Sequence, residues 1–150
     1  AYRGEFKGVF NFIADEIEKQ TKIRDYIQGE KMIQGFFLAY LNILDFYISL
    51  SEEERKKGYA DIVLKPFYLK YPDIKYAYLF EFKYISRMKD EEKLQKKIDE
   101  KMQESREQLK QYDGDDNAKK MMHAKPYGEV EVKKVIIIFH GWELVYMEEI

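Results

Sequence analysis

Apolar residues near the start of the chain recur with a helical period: Phe6, Val9, Phe10, Ile13 and Ile17 line one face, with charges between them. After a polar stretch, TKIRDYIQG, the period resumes. Ile33, Phe36, Phe37, Tyr40, Leu41, Leu44 and Tyr47 predict a second helix with Glu30 at its start, just after Gly29. This helix is apolar over a wide arc, which places it between layers. The texture then changes to short β-branched and aromatic runs. FYISL, ADIVLKP and KYAYLFEFKY predict three strands. The charged SEEERKKG links the first two as a turn, and FYLKYPDIK links the next two as a hairpin. Residues 89–112 return to helical spacing through Leu94, Ile98, Met102 and Leu109. DGDDNAKK reads as a loop, and KKVIIIFH and WELVYMEE as two strands joined at one Gly.

The order α, α, β, β, β, long α, β, β predicts a mixed sheet flanked by helices, with the long helix as a crossover. Its length, 150 residues, suits one core. Residues 89–112 are too sparse in apolar positions for a coiled coil. The most apolar stretch, 33–50, carries Gln34, Asn42 and Asp45, which argues against a membrane span. The start AYRGEFKG has no basic-then-apolar leader and no Met, as expected of a cytoplasmic domain cut from a longer protein.

Composition narrows the chemistry. With no cysteine, disulfides, thiolate metal sites and a cysteine nucleophile are excluded. A formal net charge of −2 excludes a polycation and predicts weak nucleic-acid binding unaided. Lys119, Lys120, Lys125, Lys133 and Lys134, or residues 55–57, are the candidate basic patches. His123 and His140 lack acids at metal spacing and read as structural. No glycine pattern fits a nucleotide-binding loop.

Three residues are charged where strands want apolar side chains. Asp61 opens ADIVL, while Glu81 and Lys83 interrupt AYLFEFKYI. Strand alternation points Glu81 and Lys83 to one face and Phe80 and Phe82 to the other. Buried mid-strand charges must pair or meet a ligand. If the two strands are neighbours, Asp61 lies beside Glu81, and a hard divalent cation, Mg²⁺ or Mn²⁺, relieves their repulsion. Glu-x-Lys also occurs at 5–7, 54–56, 91–93 and 131–133, so the triplet alone is common; its apolar context is what singles out this copy. An exposed Glu81–Lys83 pair is the alternative.

The pattern GYADIVLKP…YAYLFEFKY resembles the PD-(D/E)XK, or restriction-endonuclease-like, nuclease superfamily, whose core is α-β-β-β-α-β. It is most similar to a bacterial branch commonly found C-terminal to an AAA-ATPase-like domain. That branch has a helix beginning with Glu, an acidic turn closing in Gly-x-x-Asp, and an E-F-K strand. Here these correspond to Glu30, to EERKKGYAD with Asp61, and to Glu81-Phe82-Lys83. QLKQY supplies Gln108 and Tyr112 at the superfamily's Gln-x-x-x-Tyr. Ala60 replaces the proline of the superfamily's name, and Lys56 and Lys57 stand where an arginine is frequent.

The resemblance covers residues 30–148. It implies a restriction-endonuclease-like α/β domain over 30–150, preceded by a helical extension over 1–29. Asp61, Glu81 and the Phe82 carbonyl would ligate Mg²⁺ or Mn²⁺. Lys83 would orient the attacking water or stabilise phosphate charge, and Glu30 would assist at the metal. Gln108 and Tyr112, four apart, would share a helix face and contact the nucleic-acid backbone. The implied activity is hydrolysis of nucleic acid, DNA rather than RNA. An upstream AAA-ATPase-like domain or homodimerisation would supply grip. The alternative is a catalytically silent docking module of the same fold.

Overall fold

The computed structural model describes residues 6–21, 29–43, 45–51, 60–122 and 130–150. Helices α1 (Lys7–Thr21) and α2 (Glu30–Leu41) precede strands β1 (Tyr47–Ser51), β2 (Ile62–Pro66) and β3 (Tyr76–Ile85). Helix α3 (Glu91–Lys110) follows, then a 3₁₀ turn (Gln111–Gly114) and α4 (Asp116–Met122). Strands β4 (Glu131–His140) and β5 (Glu143–Glu149) close the chain. The five strands lie in the order β1-β2-β3-β4-β5. All neighbours are antiparallel except β3 and β4, which are parallel. A parallel pair needs a crossover of a dozen or more residues, and α3 provides it. The architecture is the mixed α/β sheet that the apolar pattern predicts, consistent with a restriction-endonuclease-like fold.

Strand alternation sorts the core into two layers. Tyr78, Phe80 and Phe82 of β3 share a face with Val135, Ile137 and Phe139 of β4, against α1 and α2. Phe10 of α1 stacks on Phe80 at 4.4 Å between centroids and on Phe37 of α2 at 5.1 Å. Phe6, Phe10, Ile13 and Ile17 thus join the same core as the sheet. Each fully buried Phe or Ile is worth about 1.5–3 kcal/mol, so α1 is held firmly. The opposite face buries Ala77, Leu79, Ile136 and Ile138 with Ile98 and Leu109 of α3.

Local chemistry sets the element ends. Gly29, at φ 143°, turns the chain into α2 through a backbone conformation that favours glycine. Asp90 caps α3 by accepting from the Lys93 N–H at 3.0 Å. Gly141, at φ 60°, opens the two-residue β4–β5 turn, whose second residue is Trp142. The run WELVYMEE predicts Trp142 in the strand, but the turn takes it.

Two further expectations are corrected. The segment 113–120 is not a plain loop: it forms the end of the 3₁₀ turn and most of α4, which Met122 anchors in the core. Seven residues make only about two helical turns, which leaves no readable period. Tyr112 leaves the helix for the 3₁₀ turn, because the chain tightens after Lys110 and buries its ring beneath the Lys134 ammonium. Among the described residues, no helix is long and apolar enough to cross a membrane.

Candidate active site

The site grows out of the centre of β3. Glu81 lies opposite Ile136, and Lys83 opposite Ile138, on the face covered by α3. Two charges therefore stand in an apolar layer, where each needs a partner. Lys83 Nζ donates to Glu81 Oε1 at 2.6 Å, and the two side chains are 15% and 0% exposed. Glu81 Oε2 is also buried but has no hydrogen-bond partner among the described residues.

Asp61 approaches from the end of β2. Its N–H donates to the Phe80 carbonyl at 2.9 Å, and its Oδ2 accepts from the Phe82 N–H at 2.7 Å. The pairing of Ile62 with Phe80, continued by one residue, sets Asp61 across from Glu81. Asp61 is 5% exposed. Phe82 contributes its backbone here, while its ring faces the other way against Phe37 at 4.9 Å.

Burial, more than any other cause, pushes the Glu81 carboxyl up to about 8. The Asp61 charge adds to this, the hydrogen bond and charge of Lys83 oppose it, and Glu30 adds a smaller upward push. Burial pulls the Lys83 ammonium down, but its bond to Glu81 and the Glu81, Glu30 and Asp61 charges outweigh this and leave it raised. Glu30, half-buried at the first position of α2, is thus close enough to act on both.

Asp61, Glu81, Lys83 and the Phe82 backbone come together, with Glu30 within electrostatic range. Gln108 is half-buried on α3, and Tyr112 is 3% exposed in the α3-side core. One residue escaped the sequence reading. Glu104 on α3 is held low by its hydrogen bond from Lys101, and by the Lys83 charge in smaller part. It stands one helical turn before Gln108, and that spacing was its only sequence signal.

The proposed basic patch assembles only in part: Lys119 and Lys134 meet at Asp113, while Lys133 faces the other side of the sheet. Lys133 bonds Glu149 at 2.6 Å and lies over Tyr76, whereas Lys134, one residue on and facing the other way, bonds Asp113. Lys119 donates to the Asp113 carbonyl. Residues 55–57, His123 and Lys125 lie outside the described residues. His140 has a structural bond, its Nε2 accepting from the Met88 N–H at 2.9 Å.

Two adjacent carboxylates, one with a buried oxygen lacking a partner, suit a hard divalent cation. Among the described residues, no group of three or more His, Asp or Glu side chains is arranged around one point. Mg²⁺ fits such a sparse site because it keeps several waters and needs only one or two carboxylates.

A family model of the PD-(D/E)XK nuclease superfamily matches residues 28–149. The chain belongs to that superfamily. No curated protein and no solved structure matches it.

Proposed function

We propose that this chain is a metal-dependent nuclease that hydrolyses phosphodiester bonds, with DNA as its substrate. The observation that supports this best is the fully buried Glu81, one oxygen bonded to Lys83 and the other without a partner, across from Asp61. Asp61 and Glu81, with the Phe82 carbonyl, would hold Mg²⁺ or Mn²⁺. A cation held there supplies Lewis-acid charge and lowers the pKa of a nearby water.

The chain's own residues do the rest. Lys83, kept as an ammonium by Glu81, stabilises the charge growing on the phosphate oxygens. Asp61 is fixed by the Phe82 N–H across from Glu81, which sets the two carboxylates side by side for one ligand. Glu30 adds negative charge at the mouth of the site. Gln108 contacts the nucleic-acid backbone, and Tyr112 shapes the core beneath it. Residues 30–150 form the catalytic domain, with 1–29 as an extension whose helix completes the core.

The net charge of −2 supports an enzyme that borrows its grip on DNA from an upstream AAA-ATPase-like domain or a second copy, and we place it in the cytoplasm. A silent docking module would have splayed carboxylates or a Lys83 paired away from them. The Glu81–Lys83 bond favours the active reading.

The test is calorimetric titration of Mg²⁺ and Mn²⁺, with cleavage of labelled DNA and RNA strands, in the parent, Asp61→Ala and Glu81→Ala. Saturable binding and DNA cleavage, both lost in the variants, are expected. Metal binding without cleavage of either nucleic acid would sink the nuclease reading.

A further inference from the structure

A cavity of about 360 Å³ opens at the C-terminal ends of β3 and β4, lined by Glu18, Arg87, Met88, Lys89, His140, Trp142 and Glu143. Its walls are tied in place. The Gly141 N–H donates to the Ile85 carbonyl at 2.8 Å, and the Met88 N–H to His140 Nε2 at 2.9 Å, so the segment after β3 is fastened to the end of β4. Gly141 lets the Arg87 side chain lie across the turn: a Cβ there would meet its Cγ and Nε at 2.8 Å.

The wall also holds an unmade bond. Trp142 is 3% exposed, and its Nε1 is buried with no hydrogen-bond partner among the described residues. A buried N–H without an acceptor is unfavourable. Arg87 and Lys89 bring further donors with no ion pair among the described residues, and Glu143 brings an acceptor of the same standing. Two cations, Arg87 and Lys89, and two carboxylates, Glu18 and Glu143, line one cavity with Met88 and the indole as apolar wall, which does not suit a bare anion. They suit a planar ligand with acceptors on one edge and N–H groups on the next. Guanine has that edge: O6 and N7 accept from Arg or Lys, while N1–H and the 2-amino group donate to a carboxylate.

We propose that this cavity binds an unpaired guanine base of a nucleic-acid strand. Arg87 stands four residues beyond Lys83 on the same chain segment, at most about 14 Å away along an extended backbone, within reach of one strand crossing both. That the base belongs to a strand rests on the nuclease reading; the recognition of guanine does not.

Trp142 is the chain's single tryptophan, so its emission reports on this cavity alone. The metal-free chain would be titrated with GMP, AMP, CMP, UMP, inorganic phosphate, and single strands of thymidines with or without one central guanosine. GMP should shift the emission saturably, roughly tenfold more tightly than the other nucleotides. Phosphate should not, and the guanosine strand should bind more tightly than GMP.

Arg87→Ala and Glu143→Gln should each weaken GMP binding about tenfold without changing the circular dichroism. Asp61→Asn should leave GMP binding unchanged, which separates this proposal from the nuclease reading. Equal response to phosphate or AMP, or none to any nucleotide, overturns the guanine site. A guanosine strand no tighter than GMP overturns its assignment to a strand.

Discussion

Strands β3 and β4 run parallel side by side, and each carries a glutamate two residues ahead of a lysine. In β3 the pair is closed: Lys83 bonds Glu81 at 2.6 Å, and the carboxylate is 0% exposed. In β4 the same spacing gives 3.7 Å between Lys133 and Glu131, whose side chain is 63% exposed. Lys133 turns instead to Glu149 on β5 at 2.6 Å. A third copy, on α3, makes no pair of its own, since Lys93 bonds Asp90 at 3.2 Å. Spacing along the chain brings the two groups within reach, but position in the sheet decides what becomes of them. Glu81 sits at the level of Ile136 under α3, whereas Glu131 begins its strand at the margin of the sheet.

Activity should separate the β3 pair from the β4 pair most forcefully. Glu81→Ala and Asp61→Ala should each lower Mg²⁺-dependent DNA cleavage by roughly 100-fold or more, since metal charge stabilisation is worth several kcal/mol. Glu131→Ala should leave the rate within about twofold, as exposed substitutions do. Equal losses from Glu81→Ala and Glu131→Ala would remove the distinction.

Stability separates the two lysines next. Lys83→Ala leaves a buried carboxylate without its partner and should cost about 1–3 kcal/mol in urea unfolding, because Glu81 can take up a proton in part compensation. Lys133→Ala should cost about 0–1 kcal/mol, because its partner carboxylates Glu131 and Glu149 stay in contact with water when it is removed, although Lys133 itself is 14% exposed. The double variant Glu81→Met/Lys83→Met sharpens the point. Replacing a buried ion pair with apolar groups is often neutral or stabilising, so this protein should unfold no earlier than the parent and yet cleave nothing.

The pH dependence of stability takes its sign from Glu81. The unfolded group releases its proton near 4.5, while burial and the Asp61 charge hold that proton on the folded, metal-free chain up to about 8. Between these values the folded state binds more protons than the unfolded one. Stability therefore falls as pH rises from about 4.5 to about 8, by at most about 1.4 kcal/mol per unit, and levels off above. The raised Lys83 adds stability that is present below 10.5 and lost only as pH climbs beyond its raised value, outside this window. Glu81→Gln should flatten the slope in urea midpoints measured across that range, whereas Glu131→Gln should not. The smallest expected effect is a Mg²⁺-induced rise in the parent's midpoint that is larger at pH 8 than at pH 5.5, because cation and proton compete for Glu81.

Much of this was legible in the sequence for a definite reason. Periods of 3.6 and 2 report which side of an element is buried, so α1, α2, all five strands and α3 could be read from apolar positions alone. The charged pair in the middle of β3 stood out because its neighbours were aromatic. α4 did not, because seven residues make only about two helical turns, too few for a period to show. Nor did the fate of Lys133 and Lys134, which depends on Glu149 and Asp113 being brought up from other elements.

The sequence by itself determined the order of elements, the shared face of Glu81 and Lys83, and the absence of thiol chemistry, since these depend on local alternation and composition. Only the tertiary structure decided that α1 belongs to the same core, that Asp61 stands across from Glu81, and that Trp142 leaves a buried N–H in the wall of a cavity. Whether a charge is buried, paired or exposed depends on atoms contributed by residues far away in the chain, and no local pattern records which distant strand or helix will cover it.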